Sequence, residues 1–554
     1  MQNFNKKKDN IMNYIKSYTK ILTVFFMTVG MLSSCTDLEI EETDSILATG
    51  FEGLTAEEAS SSINAMYNSL NGYIGDQANL FALSEVTTDA LLIPTRGSDW
   101  GDNGIWRQLH QHSWTPDHAF ITNVWNQWNE LQLTGSEVID DRSGATAENR
   151  ANAHFLRALG MYVILDNFGQ VPFRDTNALP SIDPAVFSGA EAVSFIAADL
   201  EAAIAGLPAG PANGDYNRGT KTAARYLYAK LMLNKHVFTK TTAAAADMAK
   251  VVSLVDEITA SGYQLQTGYF DIFKADADTE TIWYIPTGVG NRILNGLHYN
   301  STELGGGGWN GFSTLAEYYD LFEGDANNNR LDADGNAIDS QEERRGGVPK
   351  GGIANGASSD PLINGDDNED GFIDGSNVGN GFLVGQQYAP DGTALKERAG
   401  SPLSFTRDFT NAATGAASLI DNGEVSGIRL MKYNPRFGAF KEHEIFFRYS
   451  DAYLMKAEAM MRSGQDATLM VNTLRTTRGA SPIGSVTEQD LIDERGRELF
   501  VEFWRRNDLI RFGQYTKDWE FKDPSAVGNL DKHVFPIPAS QLILNPNLVQ
   551  NSGY

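Results

Sequence analysis

One cysteine, Cys35, occurs in 554 residues. A lone thiol closes no internal disulfide, so the fold must rest on a packed core instead of covalent staples. Positive charge is also scarce: 44 Lys and Arg stand against 71 Asp and Glu, a formal net charge of −27. A surface of that sign repels phosphate backbones and anionic headgroups, which argues against nucleic-acid binding. No apolar run reaches the roughly twenty residues of a bilayer span. Catalytic signatures are missing as well. There is no Gly-x-Ser-x-Gly elbow, and His443-Glu444 lacks the second histidine of a zinc-protease helix. Gly306-x-Gly308-x-x-Gly311 fits a dinucleotide loop only formally, because no strand precedes it and no amphipathic helix follows.

The position of the cysteine is informative. Lys16 and Lys20 flank the apolar stretch Ile21 to Leu32, after which Ser33 and Ser34 lead into Cys35. That order reads as a secretory signal, and Leu32-Ser33-Ser34-Cys35 resembles a bacterial lipobox. The resemblance implies cleavage before Cys35, with palmitate or a similar chain on its thiol. The expected division is a signal peptide at 1–34, a lipid anchor and acidic tether at 35–50, and a single domain at 51–554. Met12 is an alternative start. Residues 1–34 carry five lysines and one aspartate, so their loss takes the net charge to about −31. The body is expected to be soluble and held to the membrane by lipid alone.

Helical periodicity dominates the rest. Thr55 followed by Glu57 and Glu58 predicts an N-cap for a helix carrying Ala59, Ile63, Met66, Tyr67 and Leu70 on one stripe. Further helices are predicted over 119–142, 147–167, 190–207, 220–237, 248–261, 449–462, 467–477 and 488–497. Small-to-large spacings such as Ala158 to Tyr162 and Ala223 to Leu227 suggest tetratricopeptide-like packing, in which each helical pair buries its face against the next. The expected fold is therefore mostly α, with helical repeats at about 51–262 and 444–515. Between them, about 263–443, Gly, Asn and Asp accumulate around short apolar pieces such as Thr281 to Ile285. That stretch predicts brief strands and long loops, and loops of such length tend to be functional.

Several blocks resemble the SusD/RagB outer-membrane lipoproteins: Asn152 to Ala158 continuing to Phe168-Gly169-Gln170-Val171-Pro172; Phe447 to Ala459; Asn472 to Arg475; Glu494 to Leu499; His533 to Pro538; and Asn545 to Asn551. The resemblance implies a body of four tetratricopeptide-like units cradling a loop-rich half that holds the ligand. It implies no catalysis and no required cofactor. It also implies a surface protein, exposed on the cell exterior, that binds oligo- or polysaccharide and hands it to a TonB-dependent transporter of the SusC type. Peptide uptake by a RagAB-like complex is the alternative cargo.

Sugar rings present C–H faces that stack on exposed aromatic rings, while amides, carboxylates and guanidinium groups satisfy the hydroxyls. Two loops offer that mixture: Arg96 to Trp106, with Arg96, Asp99, Trp100 and Trp106, and Gly305 to Gly311, with Trp309 and Asn310. Trp125, Trp128, Trp283, Trp504 and Trp519 lie in periodic patterns and are expected in the core. His110, His112 and His118 have ligand-like spacing, yet they read better as satisfied structural histidines. Asp366, Asn368, Asp370 and Asp374 match the first nine positions of an EF-hand-type loop and offer a structural Ca²⁺ site, with a solvated Asp/Asn turn as the alternative, since Asn377 stands where the bidentate glutamate belongs. Asp325 to Asp334 forms a second oxygen-rich stretch.

Overall fold

Thr55 caps the first helix as its sequence predicts: its hydroxyl accepts the Glu58 N–H while the Glu58 carboxylate accepts the Thr55 N–H, a complete capping box. The computed structural model describes residues 50–214, 216–273, 278–286, 309–325, 330–331, 341–346, 348–349, 381–387, 394–433 and 444–554. The lipobox with Cys35, Gly305 to Gly308 and the loop holding Asp366, Asn368, Asp370 and Asp374 lie outside these residues.

Eleven helices matter here: α1 Ala56–Ile74, α2 Ile105–Gln111, α3 Ala119–Ile139, α4 Ala147–Phe168, α5 Gly189–Gly206 and α6 Lys221–Phe238, then α7 Ala245–Ala260, α8 Tyr449–Arg462, α9 Thr468–Thr477, α10 Glu488–Glu498 and α11 Arg505–Arg511. From α3 to α9 each helix packs on the next. Such serial neighbour packing is the mark of a helical-repeat scaffold, and the fold is mostly α with a loop-rich half. The step from α7 to α8 is the notable one, since the chain between them is the loop-rich segment. Its two ends meet as an antiparallel pair, β1 Thr281–Ile285 and β2 Glu444–Arg448, and the repeat then resumes at Tyr449.

The centre of the core is α4. The periodic reading gives it one apolar stripe, whereas Ala153, Phe155, Leu156, Ala158, Leu159, Met161, Tyr162, Ile164 and Phe168 are all buried, on every side of the helix. It is flanked by both α3 and α5, so no face is left for water. Close approach to α3 depends on Gly160, where a Cβ would come within 2.9 Å of the Trp128 carbonyl. Trp125, Trp128, Trp283, Trp504 and Trp519 are buried, as their patterns predict.

Charge holds the two halves together. Glu498 is fully buried and accepts from Arg448 Nη1 at 2.7 Å, Arg478 Nη2 at 2.9 Å and Arg344 Nη1 at 3.1 Å. Arg448 also reaches Glu280 and Glu502; Arg478 reaches Glu280; Arg344 reaches Glu342 and Glu494. Glu280, Glu342 and Arg344 belong to the loop-rich segment, and the others follow it in the chain. A second lattice links Arg495 to Asp451 and Asp508, and Arg511 to Asp508 and Glu458. Residues 50–554 form one compact unit.

Candidate functional site

Three stretches distant in sequence converge. Leu92 pairs with Ser313 through two backbone hydrogen bonds of 2.9 Å, Thr314 N–H donates to the Ile428 carbonyl at 3.0 Å, and Thr95 brackets Leu419 and Asn422. Two buried guanidinium groups lock the junction. Arg96 donates to the carbonyls of Asn310 (2.6 Å), Gly311 (2.9 Å) and Ser426 (3.0 Å) and to the Ser313 hydroxyl (2.8 Å). Arg429 donates to the Asn310 side-chain oxygen (2.8 Å), the Ser313 hydroxyl (2.8 Å) and the carbonyls of Ser426 (2.6 Å) and Glu424 (2.7 Å).

The two loops singled out in the sequence therefore meet. Trp100 donates its indole N–H to the Trp309 carbonyl at 2.9 Å and lies edge-on to Trp106, with centroids 5.6 Å apart. Its six-membered ring covers Gly311, where a Cβ would fall 2.5 Å from a ring carbon, so any larger residue there would push the indole off. Trp100 has φ +59°, and Asp102, Asn103 and Asn310 also have positive φ. A bulky aromatic in the left-handed region is strained, at a cost of order 1–3 kcal/mol, and such strain collects at ligand-binding loops. Of the nine tryptophans Trp309 alone is exposed, at 39%. Trp100 is half-buried beneath it.

Not every expected contact residue presents itself. Trp106 lies on α2, not on a loop, and is 4% exposed; Gly104 turns the chain into that helix and the indole packs on Phe120 and Phe312 while donating to Asp102. Arg96 and Asn310 are buried and committed to internal hydrogen bonds, so they build the platform from below. Asp99 is exposed.

Two residues that carry no sequence signal join them. Glu424 accepts from the Asn310 amide at 3.3 Å and pairs with Arg398 Nε at 3.1 Å, and Arg398 Nη1 lies 3.7 Å from Asp99. Arg398 stands on a tight turn whose Glu397 carboxylate accepts the N–H groups of Ala399 (2.6 Å) and Ser401 (2.8 Å). Both belong to a stretch with neither periodicity nor motif.

His110, His112 and His118 are buried, each with Nε2 against a backbone carbonyl (of Glu520, Thr87 and Ile105), and burial lowers the pKa of all three. No cluster of three or more His, Cys, Asp or Glu suited to a metal occurs among the described residues. No helix among them is long and apolar enough to cross a membrane.

Comparison with known proteins agrees with this fold. The sequence profile of the SusD family matches residues 279–554. The starch-binding protein SusD of Bacteroides thetaiotaomicron is 27% identical over 586 residues, covering 98% of this chain and 99% of that protein. Among solved structures, the surface glycan-binding protein A from Bacteroides uniformis superposes with a TM-score of 0.62 at 18% identity, over 89% of this chain and 99% of that one. The surface glycan-binding protein A from Bacteroides thetaiotaomicron, in complex with laminarihexaose, gives 0.60 at 18% identity, over 90% and 99%. With the repeat scaffold, the full-length relative and the family profile in agreement, the chain is a member of the SusD/RagB family.

Proposed function

We propose that the protein is a non-catalytic glycan-binding lipoprotein of the outer membrane, anchored through Cys35 on the cell exterior, which captures oligo- or polysaccharide and passes it to a SusC-like TonB-dependent transporter. The observation that carries this reading is Trp309, an exposed indole whose backbone carbonyl is held by a strained Trp100 at a junction of three loops. An aromatic face rimmed by polar groups suits a pyranose ring. The relatives support it, being named for starch binding and for a laminarihexaose complex. Affinity electrophoresis of the purified lipoprotein through polysaccharide gels tests it: retention by a glycan, lost in Trp309→Ala and Trp100→Ala, is expected. No retention by any glycan, with peptide co-purifying in the native transporter complex, would move the reading to RagAB-like peptide uptake. The EF-hand-like residues Asp366, Asn368, Asp370 and Asp374 add a structural Ca²⁺ to the proposal, tested by calorimetric titration with CaCl₂.

A further inference from the structure

The rim of the platform carries charge in an unusual balance. Asp99 is exposed, as are Asp102, which accepts from the Trp106 indole, and Asp421, and Glu424 is half-buried against the Asn310 amide. Facing them at the junction are Arg398 and Arg107, and Arg107 turns inward to donate to the Thr95 hydroxyl. Arg398 is thus the outward-facing cation among these residues, with 41% of its side chain exposed. It is not a loose surface arginine. Glu397 ties its turn through two backbone N–H groups, Glu424 holds its Nε at 3.1 Å, and that same Glu424 oxygen accepts from Asn310, the neighbour of Trp309.

Resting on the glycan-binding reading above, we propose that Arg398, held by Glu424 and Asp99, is the specificity-determining residue of the platform and selects an uncharged glycan over uronate-bearing or sulfated ones. A sugar hydroxyl both donates and accepts. A guanidinium beside two carboxylates offers both partners within a few ångströms, so vicinal hydroxyls bridge the pair without leaving either charge uncompensated. An acidic sugar meets the opposite situation. Its carboxylate or sulfate must compete with Glu424 and Asp99 for one guanidinium while approaching two negative charges. Like charges brought together at a partly desolvated surface repel one another strongly. Selectivity of this kind comes from repulsion of the wrong ligand as much as from attraction of the right one.

The experiment is affinity electrophoresis of the purified lipoprotein against neutral polymers (starch, laminarin, xylan) and acidic ones (alginate, polygalacturonate, chondroitin sulfate). Retention by a neutral polymer and by no acidic one is expected. Arg398→Ala should weaken that retention about tenfold, the loss of one charge-assisted hydrogen bond, while leaving the melting temperature unchanged. Arg398→Lys, which keeps the charge but not the fork, should recover only part of it. The double variant Asp99→Asn/Glu424→Gln, in which the guanidinium is released, should acquire retention by alginate or polygalacturonate. Wild-type retention by an acidic polymer above any neutral one overturns the proposal. So does Arg398→Ala binding as tightly as wild type while Trp309→Ala does not bind, a result that leaves the platform standing. Failure of the wild type on every polymer removes the glycan reading itself, and this inference with it.

Discussion

Replacing Glu498 by glutamine keeps the shape of the side chain and removes its charge. In the folded protein that carboxylate is fully buried and accepts from Arg344, Arg448 and Arg478. Burial opposes its ionisation, yet the three guanidinium groups hold its pKa well below the ordinary range. Glutamine offers one oxygen and a donor amide that points hydrogens at cations. Each arginine keeps another carboxylate, but the buried lattice then carries one more uncompensated positive charge than before, a loss of about 3–5 kcal/mol. With roughly 2.1 cal/mol/K of unfolding entropy per residue over about 500 residues, that energy lowers the melting temperature by about 3–5 °C. Differential scanning fluorimetry reads the shift directly. The control is Asp256→Asn, which breaks the exposed pair with Lys456 and should move the midpoint by less than ~1 °C, since exposed pairs contribute little. A Glu498→Gln protein melting within 1 °C of wild type would refute the view that this lattice clamps the loop-rich half to the repeats.

Trp309→Ala removes an indole that is 39% exposed. With about 150–250 Å² per buried aromatic side chain and ~25 cal/mol/Å², covering that fraction is worth about 1.5–2.5 kcal/mol, so glycan affinity should fall roughly 10- to 70-fold in calorimetry. Acid should unfold the protein in two stages. Burial pushes His236 and His533 down to about 4, so they stay neutral in the fold while the unfolded chain takes up protons below ~6.5, and stability drops between those values. His533→Gln should flatten that limb of a melting-temperature profile. Next, although burial works the other way, arginines hold Glu458 and Glu494 at about 2, so their contribution is complete above ~4.5 and is lost as pH falls toward 2. Glu85 runs oppositely. Burial raises its carboxyl to about 8, the folded form retains a proton that the unfolded form has lost above ~4.5, and stability falls as pH rises to 8. Glu85→Gln should abolish that slope, so its melting temperature gains on wild type between pH 5 and 8.

The repeats were legible because helices announce themselves locally. Thr55 with Glu58, the stripe Trp125-Trp128-Leu131 and the stop at Gly169 each lie within a turn or two of the residues they organise. The motif arginines and glutamates of 447–459, 472–475 and 494–499 were visible as a family pattern, but their purpose was not. Arg448 meets Glu280 across 168 residues and Arg344 meets Glu494 across 150, pairings that no local rule supplies. The platform divides in the same way. Turn-rich sequence around Trp100 and Trp309 indicated indoles outside any periodic pattern. It did not distinguish Trp106, which a short helix carries inward, from Trp309, which remains outside. Arg398 and Glu424 were unreadable, since their role depends on a fold that brings 394–427 beside 96–103.

Arg96 and Arg429 hold the platform largely by backbone carbonyls, among them those of Asn310, Gly311, Glu424, Ser426 and Gly427, and also grip the side chains of Asn310 and Ser313. A carbonyl is the same on every amino acid, so the clasp is indifferent to most of what the loops display. Positions 99, 309, 398 and 421 can exchange side chains without releasing it. On the proposed glycan reading, retargeting this face therefore requires substitutions at the rim alone, and the joint beneath is a mount on which recognition chemistry can be changed one residue at a time.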